Sequence, residues 1–417
     1  MNITNKVAQP LGFISWFKSL SKSDWGFFLL YAQLFIPKFL DVMRAFENRV
    51  GLGFLTEFSN TLFLIVALLL CGKQLLARVK WQDITFVLGI TAFYFISARL
   101  YPNSELDVNK GASKFIWECV LMFLVAVTID TTRYKQMFVQ CARIAILITF
   151  LFMYVFITSR GTGMGNEDTG ENMDLAYNLL PWVIVLIWQA FESYKLFDVI
   201  YAAFAIFLLL SQGTRGPIAC LFLFTAAYLI IIKQFKRNYL LKSIIAGLAY
   251  VGYFFSDIIA LAMMGLCASL GFSTRVFENF LEAGVGIDNS SGRDSIYQDM
   301  WRDIMKDNTG FGYGLFADRY MSYESYAHNL ELEILVNFGK IGGTILLALM
   351  FWYIFKAFKK AWGSDQIFFV TVYFFSSVIM LQFSGSYLQN YQLMFFIGIC
   401  ATVLRSNKQN SIKNFNL

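Results

Sequence analysis

The chain holds a single histidine, His328, in the stretch SYAHNLELEILVNFGKIGG that runs from Ser325 to Gly343. It stands where polar sequence gives way to an apolar helical pattern, so its imidazole is expected at the first turn of a helix. The positive end of the helix dipole and nearby arginines disfavour the imidazolium there. A neutral imidazole at neutral pH is a competent general base. Asn329 follows, suited either to orienting that base or to capping the helix, and Glu331 and Glu333 offer carboxylates to an arginine. A lone histidine also serves commonly as a structural hydrogen-bonding residue, and that alternative stands beside the base.

Two arginines have surroundings suited to an anion. Arg215 lies in LLLSQGTRGPIACLF, where two apolar runs meet at a turn from Ser211 to Pro217. An arginine at a membrane rim is costly unless it has a partner. Gly213 and Gly216 leave the backbone open, and Pro217 suits the first turn of a helix, whose N-terminus favours anions. A guanidinium beside backbone donors makes a phosphate cradle. The same position also suits an arginine that anchors a helix end by snorkelling. Arg293, beside Gly292, opens another helical stretch or is an ordinary solvated loop residue; Arg275, Arg302 and Arg319 share its loop and rank below it. Two arginines for a diphosphate and one base for a hydroxyl are the equipment of glycosyl transfer from a sugar on a lipid diphosphate. The arginines would stabilise the departing diphosphate, and His328 would deprotonate the accepting hydroxyl. The sequence has no D-x-D, no P-loop and no Cys/His metal spacing, so neither cofactor nor metal is expected.

The elements that must position these residues follow from composition. The 417 residues are 57% hydrophobic, with mean hydropathy +0.55. Only 15% are charged, where soluble proteins carry about 25%. Apolar runs of about 17–22 residues recur along the whole chain, each long enough to span a bilayer. The strand alternation of a membrane barrel is absent. The expected fold class is all-α: a polytopic integral membrane protein, one membrane domain over 1–417, with about twelve transmembrane helices. The spans are predicted at 25–42, 56–72, 83–99, 113–129, 141–158, 174–191, 196–212, 217–233, 243–268, 338–356, 366–384 and 390–404.

Lysines and arginines cluster on the side shared by both termini: Lys73, Arg78 and Lys80; Arg133 and Lys135; Lys195; Lys233 to Lys242; Lys356 to Lys360; and Arg405 to Lys413. The positive-inside rule assigns that side to the cytoplasm. The net charge of +6 follows this topology and requires no nucleic acid. The six cysteines fall in or beside apolar segments and read as inert. The N-terminus lacks a signal-peptide pattern.

A long extracytoplasmic loop, 269–337, separates spans nine and ten, and loops of such length are uncommon unless they have a function. In SGRDSIYQDMWRDIMKDNTGFGYG, Ile296, Met300, Ile304 and Met305 fall at helical spacing. Ser291 and Asp294 resemble a capping box, and Gly310 fits the stop. This helix is expected to lie at the membrane surface, with packing on the bundle as the alternative.

In order and rough spacing, these motifs resemble the O-antigen ligase and polymerase superfamily of bacterial envelopes. The resemblance runs over residues 200–345: Ser211 to Gly216, Ser291-Gly-Arg293, Gly310-Phe-Gly312, and His328-Asn329 leading to Gly339 and Gly342. The front half is similar only in hydropathy. The resemblance implies a fold related to membrane glycosyltransferases with polyprenyl-diphosphate donors, and a transfer that inverts the anomeric centre. It implies Arg215 and Arg293 as the diphosphate-binding arginines and His328 as the base; Ser211, Thr214, Asn329 and Arg275 are further substrate-binding candidates.

Two departures stand out: Gly213-Thr214 precedes the arginine where serine is common, and the chain is short for a lipopolysaccharide ligase. The acidic, glycine-rich TSRGTGMGNEDTGENMDLAYNLLP between spans five and six resembles more the capsule and O-antigen repeat-unit polymerases. Asp174, Tyr177 and Asn178 would hydrogen-bond sugar there, or serve helix capping and packing. The expected function is a polysaccharide polymerase of the bacterial cytoplasmic membrane, with its active site on the periplasmic or extracellular face. Its partners would be an undecaprenyl-diphosphate-linked oligosaccharide, as donor and acceptor, and the lipid bilayer, with room for a chain-length regulator protein. The alternatives are a ligase with the same donor and a flippase for the lipid-linked unit. A flippase requires charges around a central cavity, whereas Arg99, Glu118, Arg143 and Asp257 lie near span ends or are scattered.

Overall fold

The computed structural model describes residues 18–33, 54–131, 134–160, 169–212, 214–229, 256–269, 274, 278, 281, 293–307, 309–321 and 327–406. Among the described residues every regular element is helical, as the composition requires. In chain order the α-helices are α1 (Lys22–Gln33), α2 (Phe54–Arg78), α3 (Trp81–Leu100), α4 (Glu105–Lys114), α5 (Val120–Thr128), α6 (Lys135–Arg160), α7 (Thr169–Ser193), α8 (Leu196–Leu210), α9 (Arg215–Ala227), α10 (Ser256–Ser269), α11 (Arg293–Lys306), α12 (Ala317–Tyr320), α13 (Leu330–Ala361), α14 (Gln366–Tyr373) and α15 (Tyr391–Arg405). Among the described residues four segments are long and apolar enough to cross a membrane: Trp81–Leu100, Pro102–Thr128, Leu175–Ser193 and Leu330–Ala361. Shorter apolar helices accompany them, α8, α9 and α15 included.

Burial separates the inner helices from the outer ones. The apolar part of α7 is 72% buried, that of α3 only 22% and that of α13 28%. Trp182, Val183, Leu186 and Trp188 of α7 are all within the core. Around them an aromatic cluster joins α1, α6, α14 and α15. Tyr31 packs on Phe138 with ring centroids 4.3 Å apart, Phe138 on Phe369 at 4.9 Å, and Tyr373 on Phe395 at 4.4 Å. On the outer helices Leu88, Phe95, Leu349 and Phe355 are exposed. Apolar surface of this extent is stable facing hydrocarbon and unfavourable facing water, which suits helices that cross a membrane.

Polar ties gather the helix ends into two groups. At one end, Arg405 holds the buried Asp83 through two bonds of 2.5 and 2.8 Å, Lys135 pairs with Glu192 at 2.6 Å, and Arg143 pairs with Asp198. Gln366 donates to Thr131 at 2.9 Å, and Arg78 to the carbonyl of Thr128 at 2.8 Å. This is the end the positive-inside count assigns to the cytoplasm. At the other end, Ser97 accepts the Leu315 N–H at 3.1 Å, and Tyr94 donates to the carbonyl of Leu388 at 2.5 Å.

Three expectations need correction. The fourth span begins earlier than 113, because the polar helix α4 runs through a wide π-type turn, Phe115–Cys119, into α5. The helix expected right after His328 does begin there, at Leu330, but the span placed at 338–356 is only its second part, set off by a break at Gly339. The helix of the long loop, α11, exists, but its apolar face does not lie on the membrane surface. Met300 and Ile304 are buried with Ala317, Ala327 and Val336, while Met305 is exposed. The first half of α13 supplies that apolar partner through Val336 and Leu332. α11 also ends at Lys306, short of Gly310. Ser291 of the expected capping box lies outside the described residues.

Candidate functional site

The Arg215 turn joins α8 to α9. Ser211 and Gln212 are buried, and both donate to the carbonyl of Leu208, Ser211 Oγ at 2.8 Å and Gln212 Nε2 at 3.0 Å. These bonds satisfy a carbonyl that the C-terminus of α8 leaves over. Thr214 is extended and buried, and its hydroxyl has no hydrogen-bond partner among the described residues. Arg215 opens α9 and is exposed, and Pro217 sits in the first turn, where its missing N–H costs nothing. Gly216 is held against two neighbours. A Cβ there would lie 2.3 Å from the hydroxyl oxygen of Tyr177 and 3.1 Å from Cβ of Phe383.

The His328 turn leads into α13. His328 adopts a left-handed conformation (φ 49°), one that histidine enters more readily than most side chains do. Its carbonyl accepts from the hydroxyl of Tyr297 on α11 at 3.4 Å. Asn329 caps α13, accepting the Leu332 N–H at 2.9 Å, so capping is the role seen for it. Its amide nitrogen donates to Gln382 Oε1 at 3.3 Å, and Gln382 Nε2 donates to Glu331 at 3.0 Å. The buried Glu333 accepts the Ser386 hydroxyl and, at 3.1 Å, the Tyr387 N–H. Gln382 thus binds the His328-Asn329 turn, while the next residue, Phe383, abuts the Arg215-Gly216 turn.

The glycines of the long loop fix its position. Gly339 has φ 71° and ψ 178°, a region open to glycine alone. Its missing Cβ makes room for another backbone, with Gly312 N at 2.3 Å and the Gly310 carbonyl at 2.4 Å from where that Cβ would stand. Three backbone bonds join the strands of this contact: Tyr313 N–H to Val336 C=O at 3.0 Å, Gly314 N–H to Asn337 C=O at 3.1 Å, and Ile341 N–H to Gly310 C=O at 2.9 Å. Asp307 closes the loop by accepting from the Thr309 hydroxyl, the Thr309 N–H and the Gly312 N–H at 2.7–2.9 Å. Burial alone would raise its carboxyl, but these donors outweigh burial and hold it below the ordinary value.

Beside Tyr177, which touches the Arg215-Gly216 turn, lies a cavity of about 240 Å³. Tyr177 and Asn178 of α7 line it, together with Lys114, Arg319 and the turn from Ser384 to Gln392. Pro181 explains how α7 meets that turn. It lacks an N–H for the carbonyl four residues back, which belongs to Tyr177, and Gln392 Nε2 donates to that carbonyl at 3.3 Å instead. Tyr391 donates its hydroxyl to Asn178 Oδ1.

Of the residues singled out by sequence, Arg215, Ser211, Thr214, Tyr177, Asn178, His328 and Asn329 all border this end of the bundle. Arg293 is the first residue of α11, one helical turn before Tyr297, and Asp174 lies in the first half of α7; their side chains lie outside the described residues, as do Arg275 and Gly213. Sequence reasoning passed over Lys114 and the 384–392 turn and ranked Arg319 low. A signal was available in SGSYLQNYQ, a polar, glycine-bearing stretch between two apolar helices. No family model, no curated protein and no solved structure matches this chain. What the fold defines is an all-helical protein with membrane-length apolar helices and polar turns gathered at one end.

Proposed function

We propose that the protein is a polysaccharide polymerase of the bacterial cytoplasmic membrane, a glycosyltransferase with about twelve spans. It moves a growing glycan from undecaprenyl diphosphate to the terminal sugar of another lipid-linked repeat unit. The observation that supports this most is the meeting of the Arg215 and His328 turns on adjacent residues, Gln382 and Phe383. In this reading the acceptor hydroxyl gives its proton to His328 and its oxygen attacks the anomeric carbon. The bond from that carbon to the diphosphate oxygen breaks with inversion, and the diphosphate leaves toward Arg215 and Arg293. The exposed guanidinium of Arg215, at the N-terminus of α9, suits the charge that develops on it. No metal is invoked. The pairing of Arg143 with Asp198 at the opposite end favours a structural role for those charges over a transport path.

The test is a glycan ladder made by purified protein in detergent with its lipid-linked repeat unit, compared with His328→Ala. A ladder lost in a folded variant supports the base; a ladder that survives removes His328 from that role. Transfer that occurs only when a different acceptor is supplied would instead identify a ligase.

A further inference from the structure

Two cations line the cavity beside Tyr177, and the buried carboxylates Asp318 and Glu333 lie close enough to Arg319 to feel its charge. The cations are Lys114 and Arg319, and no carboxylate lines the cavity among the described residues. Neither cation takes part in an ion pair within 4.0 Å among the described residues. Arg319 lies over the ring of Phe316, 4.6 Å from its centroid, and its Nε is buried with no hydrogen-bond partner among the described residues. The buried Asp318 precedes it in sequence; its Oδ2 accepts the Ala327 N–H at 3.1 Å, and its Oδ1 has no hydrogen-bond partner among the described residues.

The rest of the wall suits a sugar. Tyr177, Tyr391, Asn178, Gln389 and Gln392 line the cavity, aromatic and amide side chains of the kinds that contact sugars. Gln392 Oε1 is buried without a partner among the described residues. The volume falls below the roughly 300–1,000 Å³ of pockets for drug-sized ligands, which leaves room for one ring and its substituent. Across Tyr177 lies the Arg215-Gly216 turn, where the diphosphate is placed above.

We propose that this cavity is a subsite for one acidic sugar of the glycan, a hexuronic acid whose carboxylate sits between Lys114 and Arg319. As a statement about substrate, this rests on the transferase reading; as a statement about binding, it stands alone. The experiment is saturation-transfer NMR on the full-length protein in detergent, with D-glucuronate, D-glucose and inorganic pyrophosphate as separate probes. Glucuronate should bind at least tenfold more tightly than glucose. Lys114→Gln and Arg319→Gln should each weaken it about tenfold, the loss of one charge-assisted bond, while Lys114→Arg retains it. Lys114 is exposed at the mouth, so its variants remain informative if Arg319→Gln fails to fold. Glucuronate that binds no better than glucose, or that ignores Lys114→Gln, overturns the proposal. Pyrophosphate that binds and is lost in Lys114→Gln, while glucuronate does not bind, gives the cavity to the diphosphate and overturns it too. A glycan ladder without glucuronate binding would sink this subsite and leave the polymerase; binding without transfer to any acceptor would do the reverse.

Discussion

Gly339→Ala should undock the long loop without unfolding the bundle. At φ 71° and ψ 178° an alanine is strained by about 1–3 kcal/mol. Its Cβ would also stand 2.3 Å from Gly312 N and 2.4 Å from the Gly310 carbonyl, and neither is the end of a flexible side chain. Relief requires the two backbones to separate, which breaks the three bonds made by Tyr313, Gly314 and Ile341. At about 1 kcal/mol net for each bond, the docked state loses about 4–6 kcal/mol in all. Hydrogen exchange followed by mass spectrometry reads this directly. Protection of the Tyr313, Gly314 and Ile341 amides should fall about 10³–10⁴-fold, while amides within α15 keep theirs. Transfer should be lost with the docking, because Tyr297 and Asn329 flank the same loop. Gly72→Ala, where a Cβ meets nothing within 4 Å, is the control and should be neutral or slightly stabilising. Unchanged protection at Ile341 in Gly339→Ala would refute the claim that backbone contact at this glycine holds the loop.

Asn329→Ala should cost about 1 kcal/mol from the lost cap and release Gln382 from its 3.3 Å bond, seen as faster exchange at Leu332 with α15 unaffected. Gly216→Ala should displace Tyr177 and lower transfer, and Tyr177→Phe in the same chain should restore part of it by removing the atom 2.3 Å away, so the pair will be non-additive in a double-mutant cycle. Asp307, held below its ordinary value in the folded protein, stabilises the loop at any pH above the unfolded carboxyl value near 3.8. That contribution should vanish as pH falls through the lower folded value. Gly312 amide exchange, corrected for its intrinsic pH dependence, should show this loss in the parent and no such step in Asp307→Asn.

Much of the fold was legible because hydropathy acts locally. A run such as WVIVLIWQAF in α7 has only one way to satisfy its backbone in hydrocarbon, and that is a helix. Arg215 at a helix start and α11 as a helix could also be read, since caps and periodicity depend on a few neighbouring residues, whereas the break of α13 at Gly339 was not anticipated. The start of α13 right after His328 could be read as well; what holds its first turns in place could not. Its helical state depends on the Asn329 cap and on Glu333 being satisfied by Ser386 and Tyr387, some fifty residues away.

By itself, then, the sequence determined an all-helical, membrane-length set of apolar segments, the basic bias of their ends, and the residue types suited to binding a diphosphate and moving a proton. Tertiary structure alone decided which turns meet. Pro181 withholds an N–H, and only folding brings Gln392 to the carbonyl it leaves at Tyr177. Gly310 and Gly312 lack side chains, and only folding sets Gly339 against them. Lys114 and Arg319 are 205 positions apart in the chain and share one cavity wall. Local preferences depend on neighbours along the chain, whereas shared charge and close backbone approach depend on contacts that distant segments make only after they pack.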